Sequence, residues 1–258
     1  MASHLRILGC SGGIGKNLRT TSLLLDDDVL IDAGTGVGDL SLDEMAKIDT
    51  IFLTHSHLDH IVSVPLLIDS VGARRDKPVR VLGLTATIEA LKQHIFNNVI
   101  WPDFSKIPSV DRPFLKLGTL NLGDVITVGA RQITVLPASH SVAAVGYAIT
   151  TEQSTLAFTG DSGPCPAFWD ALGTLPGLKH LIVETSFTDK DHVLAELSSH
   201  YCPISLSQSF QPLEPAVQLW ISHLKPGQAE HIMAELNHTE RLAKTTPKAL
   251  VAGQVLVF

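Results

Sequence analysis

The chain has 258 residues, 45% of them hydrophobic, enough for one substantial core, so a single domain spanning residues 1–258 is expected. With 19 Lys and Arg against 26 Asp and Glu, the formal net charge of -7 weighs against a broad basic face that grips a nucleic-acid polymer by counterion release. No uncharged apolar run is long enough to span a bilayer, and residues 1–7 lack a basic stretch leading into an apolar one; a cytoplasmic protein without a membrane partner is expected.

The expected elements alternate along the chain. Glycine-punctuated β-rich runs at 5–8, 22–26 and 29–32 suit hairpins opening a sheet, and 50–54 adds a strand. From Asp59, the residues His60, Ile61, Val64, Leu67, Ile68 and Val71 recur at helical spacing. A strand over 79–84 and a helix over 86–97 follow. The second half gives strands at 125–128, 133–136, 146–150 and 156–159, then a helix near 167–172 and a strand at 181–184. A helix around 192–197, a strand at 219–222, a helix over 228–236 and a β-rich tail over 250–258 close the chain. No linker or repeat divides these segments, and two mixed sheets covered by helices satisfy their order.

The densest chemistry lies in Thr54-His55-Ser56-His57-Leu58-Asp59-His60, where the apolar strand ends and the helical pattern begins. In an extended segment residues two apart share a face, so His55 and His57 converge on one ion. Asp59 and His60, in the first helical turn, face a second position nearby. Buried polar groups at this density need partners, and divalent metals are the natural ones. Further along, His140, Asp161 and His223 each follow an apolar strand, where α/β architectures gather functional groups. The donor set is nitrogen and carboxylate oxygen without thiolate, which suits zinc and leaves manganese or iron open. Cys10, Cys165 and Cys202 are odd in number and match no zinc-knuckle spacing, so they read as reduced structural thiols. Residues 7–13 are not a P-loop, since Gly15-Lys16 is followed by Asn17 and the earlier glycine position holds Cys10. Those glycines read as tight turns near the site, and Asp32 as either an orienting partner for a ligating histidine or a turn carboxylate.

The His-x-His-x-Asp-His motif resembles the signature of the metallo-β-lactamase superfamily. Longer strings extend the likeness to its class II 3′,5′-cyclic-nucleotide phosphodiesterases: residues 54–61, Phe96-Asn97-Asn98-Val99-Ile100-Trp101-Pro102-Asp103-Phe104-Ser105, Thr159-Gly160-Asp161-Ser162-Gly163-Pro164 and Ile221-Ser222-His223-Leu224-Lys225-Pro226. The resemblance implies an α/β fold, a four-layer αββα sandwich of two mixed β-sheets flanked by helices. It also implies two divalent ions, one held by His55, His57 and His140, the other by Asp59, His60 and His223, with Asp161 bridging. The implied substrate is a small cyclic nucleotide, cyclic AMP or cyclic GMP, opened to the 5′-nucleotide by water activated through metal coordination. Asp59, Asp161 and His200 form the implied catalytic set. His200 would protonate the leaving oxygen, although the string departs from the family at Tyr201 and Cys202; the alternative is a solvated helix-end histidine. Trp101 and Phe104 are either a purine-stacking lid or a hydrophobic plug or dimer contact, and a homodimer is a reasonable expectation. Glu184 either supports the metal shell or accepts backbone hydrogen bonds. His4, His94, His180, His192, His231 and His238 carry no expected role.

A tRNA 3′-processing endonuclease shares this chemistry, but the acidic balance and the lack of a basic, glycine-rich arm weigh against it. A glyoxalase-type thioester hydrolase lacks support because residues 61–64 hold no glycine pair. A catalytically silent nucleotide sensor is disfavoured by the complete ligand set.

Overall fold

The computed structural model describes residues 2–214 and 216–258. Burial explains why the strands read as continuous apolar runs. In β2 (Ser22–Leu25), β3 (Val29–Ile31) and β4 (Thr50–Phe52), successive side chains point to opposite faces and both faces are covered, whereas β1 (His4–Gly9) buries Leu5 and Ile7 on one face and leaves His4 exposed on the other. Leu23 and Leu25 thus enter one core and Leu24 another. A strand buried on both sides needs apolar residues at nearly every position.

These strands, with β5 (Val79–Leu84), β6 (Leu115–Leu120) and β14 (Val255–Val257), make a sheet ordered β14-β1-β2-β3-β4-β5-β6. The second sheet contains β7 (Val125–Val128), β8 (Arg131–Pro137), β9 (Val145–Thr150), β10 (Thr155–Phe158), β11 (Leu178–Glu184), β12 (Gln218–Ser222) and β13 (Lys248–Ala249), ordered β13-β12-β11-β10-β9-β8-β7. Each is mixed. Pairing is antiparallel from β14 to β3 and from β7 to β10, and parallel from β3 to β6 and from β10 to β13.

The sheets face each other across a layer where Leu5, Ile7 and Phe52 meet Val135, Tyr147 and Phe158. Helix Ser63–Val71 covers the outer face of the first sheet through Val64, Leu67 and Ile68. Helices Pro166–Leu172, Pro203–Ser209 and Ala229–His238 cover the second through Trp169, Leu206 and Ile232. The result is a four-layer αββα sandwich.

Strand direction positions the site. β3 and β4 end at the same edge as β8, β10, β11 and β12, because the Thr54 carbonyl beyond β4 accepts the Val145 N–H at the start of β9 at 3.0 Å. Tyr147, fully buried, adds a bond from its hydroxyl to the Leu53 carbonyl at 2.7 Å. Six segments leaving the carboxyl ends of strands therefore converge there.

Several expected elements differ. The helix expected over 86–97 runs as Thr85–Ala90 and continues in wider turns through Ile95. It stops because the Asn97 carboxamide accepts the N–H groups of Val99 and Ile100 while Asn98 sits at φ 61°. β6 and helix Pro203–Ser209 escape the sequence pattern: β6 lies on a sheet edge with polar and glycine residues between its leucines, and the helix is two turns long. The three cysteines are free thiols, with Cys165 and Cys202 buried. Among the described residues no helix is long and apolar enough to cross a membrane.

Candidate metal centre

The turn after β4 delivers His55 and His57, and the short helix Leu58–Ile61 delivers Asp59 and His60. His140 follows β8, Asp161 follows β10 and His223 follows β12. The structure brings all seven together in two groups. His55, His57 and His140 form one; Asp59, His60, Asp161 and His223 form the other, with the donor atoms of each group within 4.8 Å of one another. Asp161 lies between them: its Oδ2 is 3.1 Å from His223 Nε2, 3.2 Å from His60 Nε2 and 3.8 Å from His55 Nε2.

Four of the five imidazoles are held by a partner on the far side. His60 Nδ1 lies 2.8 Å from Asp32 Oδ2, and Asp32 is pinned by the Thr54 N–H and hydroxyl, both at 2.8 Å. His55 Nδ1 reaches Thr54 Oγ1 at 3.0 Å, His140 Nδ1 donates to the Ser199 carbonyl at 3.0 Å, and His223 Nδ1 meets Ser186 Oγ at 2.9 Å. These bonds commit the Nδ1 atoms and leave the Nε2 lone pairs of His55, His60, His140 and His223 for the cluster. His57 faces inward through Nδ1, 3.1 Å from His140 Nε2.

Without a cation this arrangement is under electrostatic conflict. Burial drives the His55 pKa well below its ordinary value, a trend His60 reinforces. Burial also opposes charge on His60, yet Asp161 and Asp32 on either side hold its pKa well above the usual imidazole value. The Asp161 carboxyl, which burial alone would raise, is held well below the carboxylate range by His223 and His60. His55 Nε2, His60 Nε2 and Asp161 Oδ1 are nonetheless buried without hydrogen-bond partners. Lone pairs orphaned in this way, from N and O donors in convergent geometry, fit divalent cations.

Beside the cluster, Glu184 is fully buried at the end of β11. Its Oε1 accepts from His200 Nδ1 at 2.7 Å and from the Ser162 N–H at 3.1 Å, and its Oε2 accepts the Ser186 hydroxyl at 3.0 Å. Its oxygens are satisfied without an ion. Burial disfavours charge on His200, but the Glu184 carboxylate outweighs it and raises the His200 pKa. The His200 ring stacks on His223 at 5.3 Å and meets His140 edge-on at 4.9 Å, so it borders both metal groups rather than facing solvent.

Of the two readings open for the aromatic segment, the packing fits the hydrophobic plug. Phe104 is 5% exposed and packs against Phe96 and Phe114 at 6.3 and 6.0 Å, so its ring is core and has no free face for a purine. Trp101 is half-buried against the same core, and lines an apolar hollow of about 180 Å³ beside Leu58 and Leu66, on the outside of the metal-motif helix. Ser186, Thr54 and Ser199 carry no signal in the sequence. Each is an ordinary polar residue next to a strand or helix end, and only the tertiary contacts reveal its function of fixing an imidazole. Among the histidines without an expected role, His180 accepts the Trp220 indole N–H at 3.1 Å and joins Val257 at 3.2 Å, a structural contact.

A family model described as "Beta-lactamase superfamily domain" matches residues 28–244. The chain belongs to the β-lactamase superfamily. Within that superfamily it is 27% identical over 211 residues to a "3′,5′-cyclic-nucleotide phosphodiesterase" of Schizosaccharomyces pombe, covering 69% of this chain and 58% of the relative's length. A "Ribonuclease Z" of Methanopyrus kandleri is 25% identical over 156 residues, covering 58% of this chain and 50% of that protein. Among solved structures, unliganded yeast PDE1 superposes with a TM-score of 0.81 at 20% identity, covering 100% of this chain and 99% of the other. The metallo-β-lactamase fold protein YhfI of Bacillus subtilis gives 0.79 at 20% identity, with 100% of both chains covered. These likenesses establish the metallo-β-lactamase fold.

Proposed function

We propose that this superfamily hydrolase is a two-metal phosphodiesterase of the class II cyclic-nucleotide type, opening cyclic AMP or cyclic GMP to the 5′-nucleotide with zinc as the resident ion. The observation that carries this reading is the placement of Asp161 within 3.8 Å of histidines from both groups, with the His200–Glu184 pair at their side. His55, His57 and His140 would hold one ion, Asp59, His60 and His223 the other, and Asp161 would be shared. Bound divalent ions supply Lewis-acid charge for a phosphate and lower the pKa of water.

The chain's own residues account for the remaining requirements. Hydrolysis breaks the P–O3′ bond, and the departing oxygen needs a proton. Glu184 fixes Nδ1 of His200 and favours its protonated form, which makes Nε2 the proton source. His140 and His223, each held through Nδ1, keep their rings fixed against that imidazole. The named S. pombe relative supports a cyclic-nucleotide substrate, as does a net charge of -7, which offers little purchase to polymeric RNA. Under this reading residues 1–258 act as one catalytic domain.

The test offers metal-loaded protein cyclic AMP, cyclic GMP and a precursor tRNA in parallel. Release of 5′-AMP or 5′-GMP is expected. Cleavage of the tRNA alone would overturn the substrate assignment and favour the ribonuclease Z reading.

A further inference from the structure

Lys225 stands out among the cations near the metal centre. Lys47, Lys77, Lys92, Lys106 and Lys244 each lie within 4.0 Å of a carboxylate, and Lys16, Lys116, Lys179, Lys190 and Lys248, which do not, are exposed to solvent. Lys225 is half-buried, and among the described residues its ammonium has no carboxylate partner: Nζ donates to the Gly12 carbonyl at 3.0 Å and lies 5.7 Å from the centroid of the Phe187 ring. Both neighbours border the site. A Cβ added to Gly12 would lie 3.0 Å from His223 Nδ1, and the Phe187 ring is 5.7 Å from that of His200. The ammonium is thus held between the wall carrying His223 and the wall carrying His200. One backbone carbonyl and one ring face use only part of its capacity, since an ammonium offers three donors.

A partly desolvated cation without a counter-charge is costly to retain unless something anionic meets it. Asp59 and Asp161 face the cluster that Lys225 borders, but neither pairs with it. We propose that Lys225 is a phosphate-binding residue that donates to a non-bridging oxygen of the phosphodiester at the metal centre, and to the same group in the product. The inference rests on the phosphodiesterase reading for its substrate class. Substrate and product both carry phosphate charge, so a fixed cation favours capture of the diester and retention of the monoester alike, without a preference for the transition state. Gly12 has the complementary function: its lack of a side chain lets the carbonyl that aims Lys225 sit directly against His223, where an added Cβ would overlap the His223 carbonyl oxygen.

The competing explanation is that Lys225 only anchors the Gly12 loop. Two substitutions separate these roles. Lys225→Gln keeps a donor for the Gly12 carbonyl but removes the charge, whereas Lys225→Met removes both. With metal-loaded protein and bis(p-nitrophenyl) phosphate or cyclic AMP, both variants should raise KM about tenfold, ~1.4 kcal/mol, with kcat changed by less than about threefold. The inhibition constant of inorganic phosphate should rise by a similar factor. The dependence of KM on ionic strength should flatten in Lys225→Gln, and Lys225→Arg should stay near wild type. A normal KM and phosphate affinity in Lys225→Gln with impairment only in Lys225→Met would overturn the proposal in favour of a loop anchor, and wild-type values in both would overturn it outright.

The substrate reading fails separately. If bis(p-nitrophenyl) phosphate is turned over and cyclic nucleotides are not, the cyclic-nucleotide assignment falls, while a raised KM in Lys225→Gln still upholds the phosphate contact. Calorimetric titration of inorganic phosphate into the metal-loaded chain probes the same contact without turnover: weaker binding in Lys225→Gln supports it, and an unchanged Kd contradicts it.

Discussion

At the scale of single residues, the site depends as much on what lies behind each imidazole as on the imidazoles themselves. Asp32 is fully buried at φ 58°, a left-handed conformation that a side-chain-bearing residue adopts at some cost, and it uses both oxygens on Thr54 and His60. Asp32→Asn should lower metal affinity by about 10- to 100-fold while preserving the fold, as read by competition with a chromophoric chelator and by circular dichroism. Glu184→Gln bears on the proton source. Removing the carboxylate withdraws the charge that raises the His200 pKa, so His200 loses its proton at lower pH than in wild type. The alkaline limb of the kcat profile should move to lower pH, and kcat should fall by about 10²- to 10⁴-fold if proton delivery is lost entirely; an unmoved limb would remove His200 from that role. The histidines and Asp161 were legible in the sequence because metal donors cluster at strand ends in characteristic short strings. The sequence leaves Phe104 between lid and plug because aromatic composition does not reveal which way a ring points, and Ser186 was missed because a serine two residues past a strand carries no signal of its own.

At the scale of elements, the two sheets must be fixed to each other where the ligands meet, since His55 to His60 leave the first sheet and His140, Asp161 and His223 leave the second. Tyr147 on β9 and the Val145 N–H provide the link, bonding the carbonyls of Leu53 and Thr54 immediately before His55. Tyr147→Phe should cost about 1–2 kcal/mol in denaturant unfolding, because the Leu53 carbonyl is left in the buried layer without this donor. It should also weaken metal binding more than a substitution of similar cost far from the strand ends. The central strands were legible because double-sided burial demands long apolar runs. Edges were harder: β6 alternates leucines with Lys116, Gly118 and Thr119, and β13 is two residues long, so neither presents a clear period. The hydrophobic stripe after Asp59 identified helix Ser63–Val71 correctly, because Val64, Leu67, Ile68 and Val71 all enter the same core.

At the scale of the whole molecule, the layered sandwich places five imidazoles and two carboxylates of the ligand and bridging set at one edge, several of them fully buried. Ions that bind the folded chain and not the unfolded one stabilise it by mass action, so chelation should lower Tm and readdition of zinc should restore it, with a shift that grows with free-metal concentration. The order of strands and helices pointed to this architecture, while the stitching between sheets and the pairing of Lys225 with Gly12 lay beyond any local pattern because they join residues more than 90 positions apart. The most direct test titrates zinc into the metal-free chain while 5′-nucleotide release from cyclic AMP is followed. The account predicts a rate that climbs steeply and levels off at two equivalents per chain in wild type, with no recovery in Asp161→Ala. A plateau at one equivalent, or full metal loading without 5′-nucleotide, would contradict it.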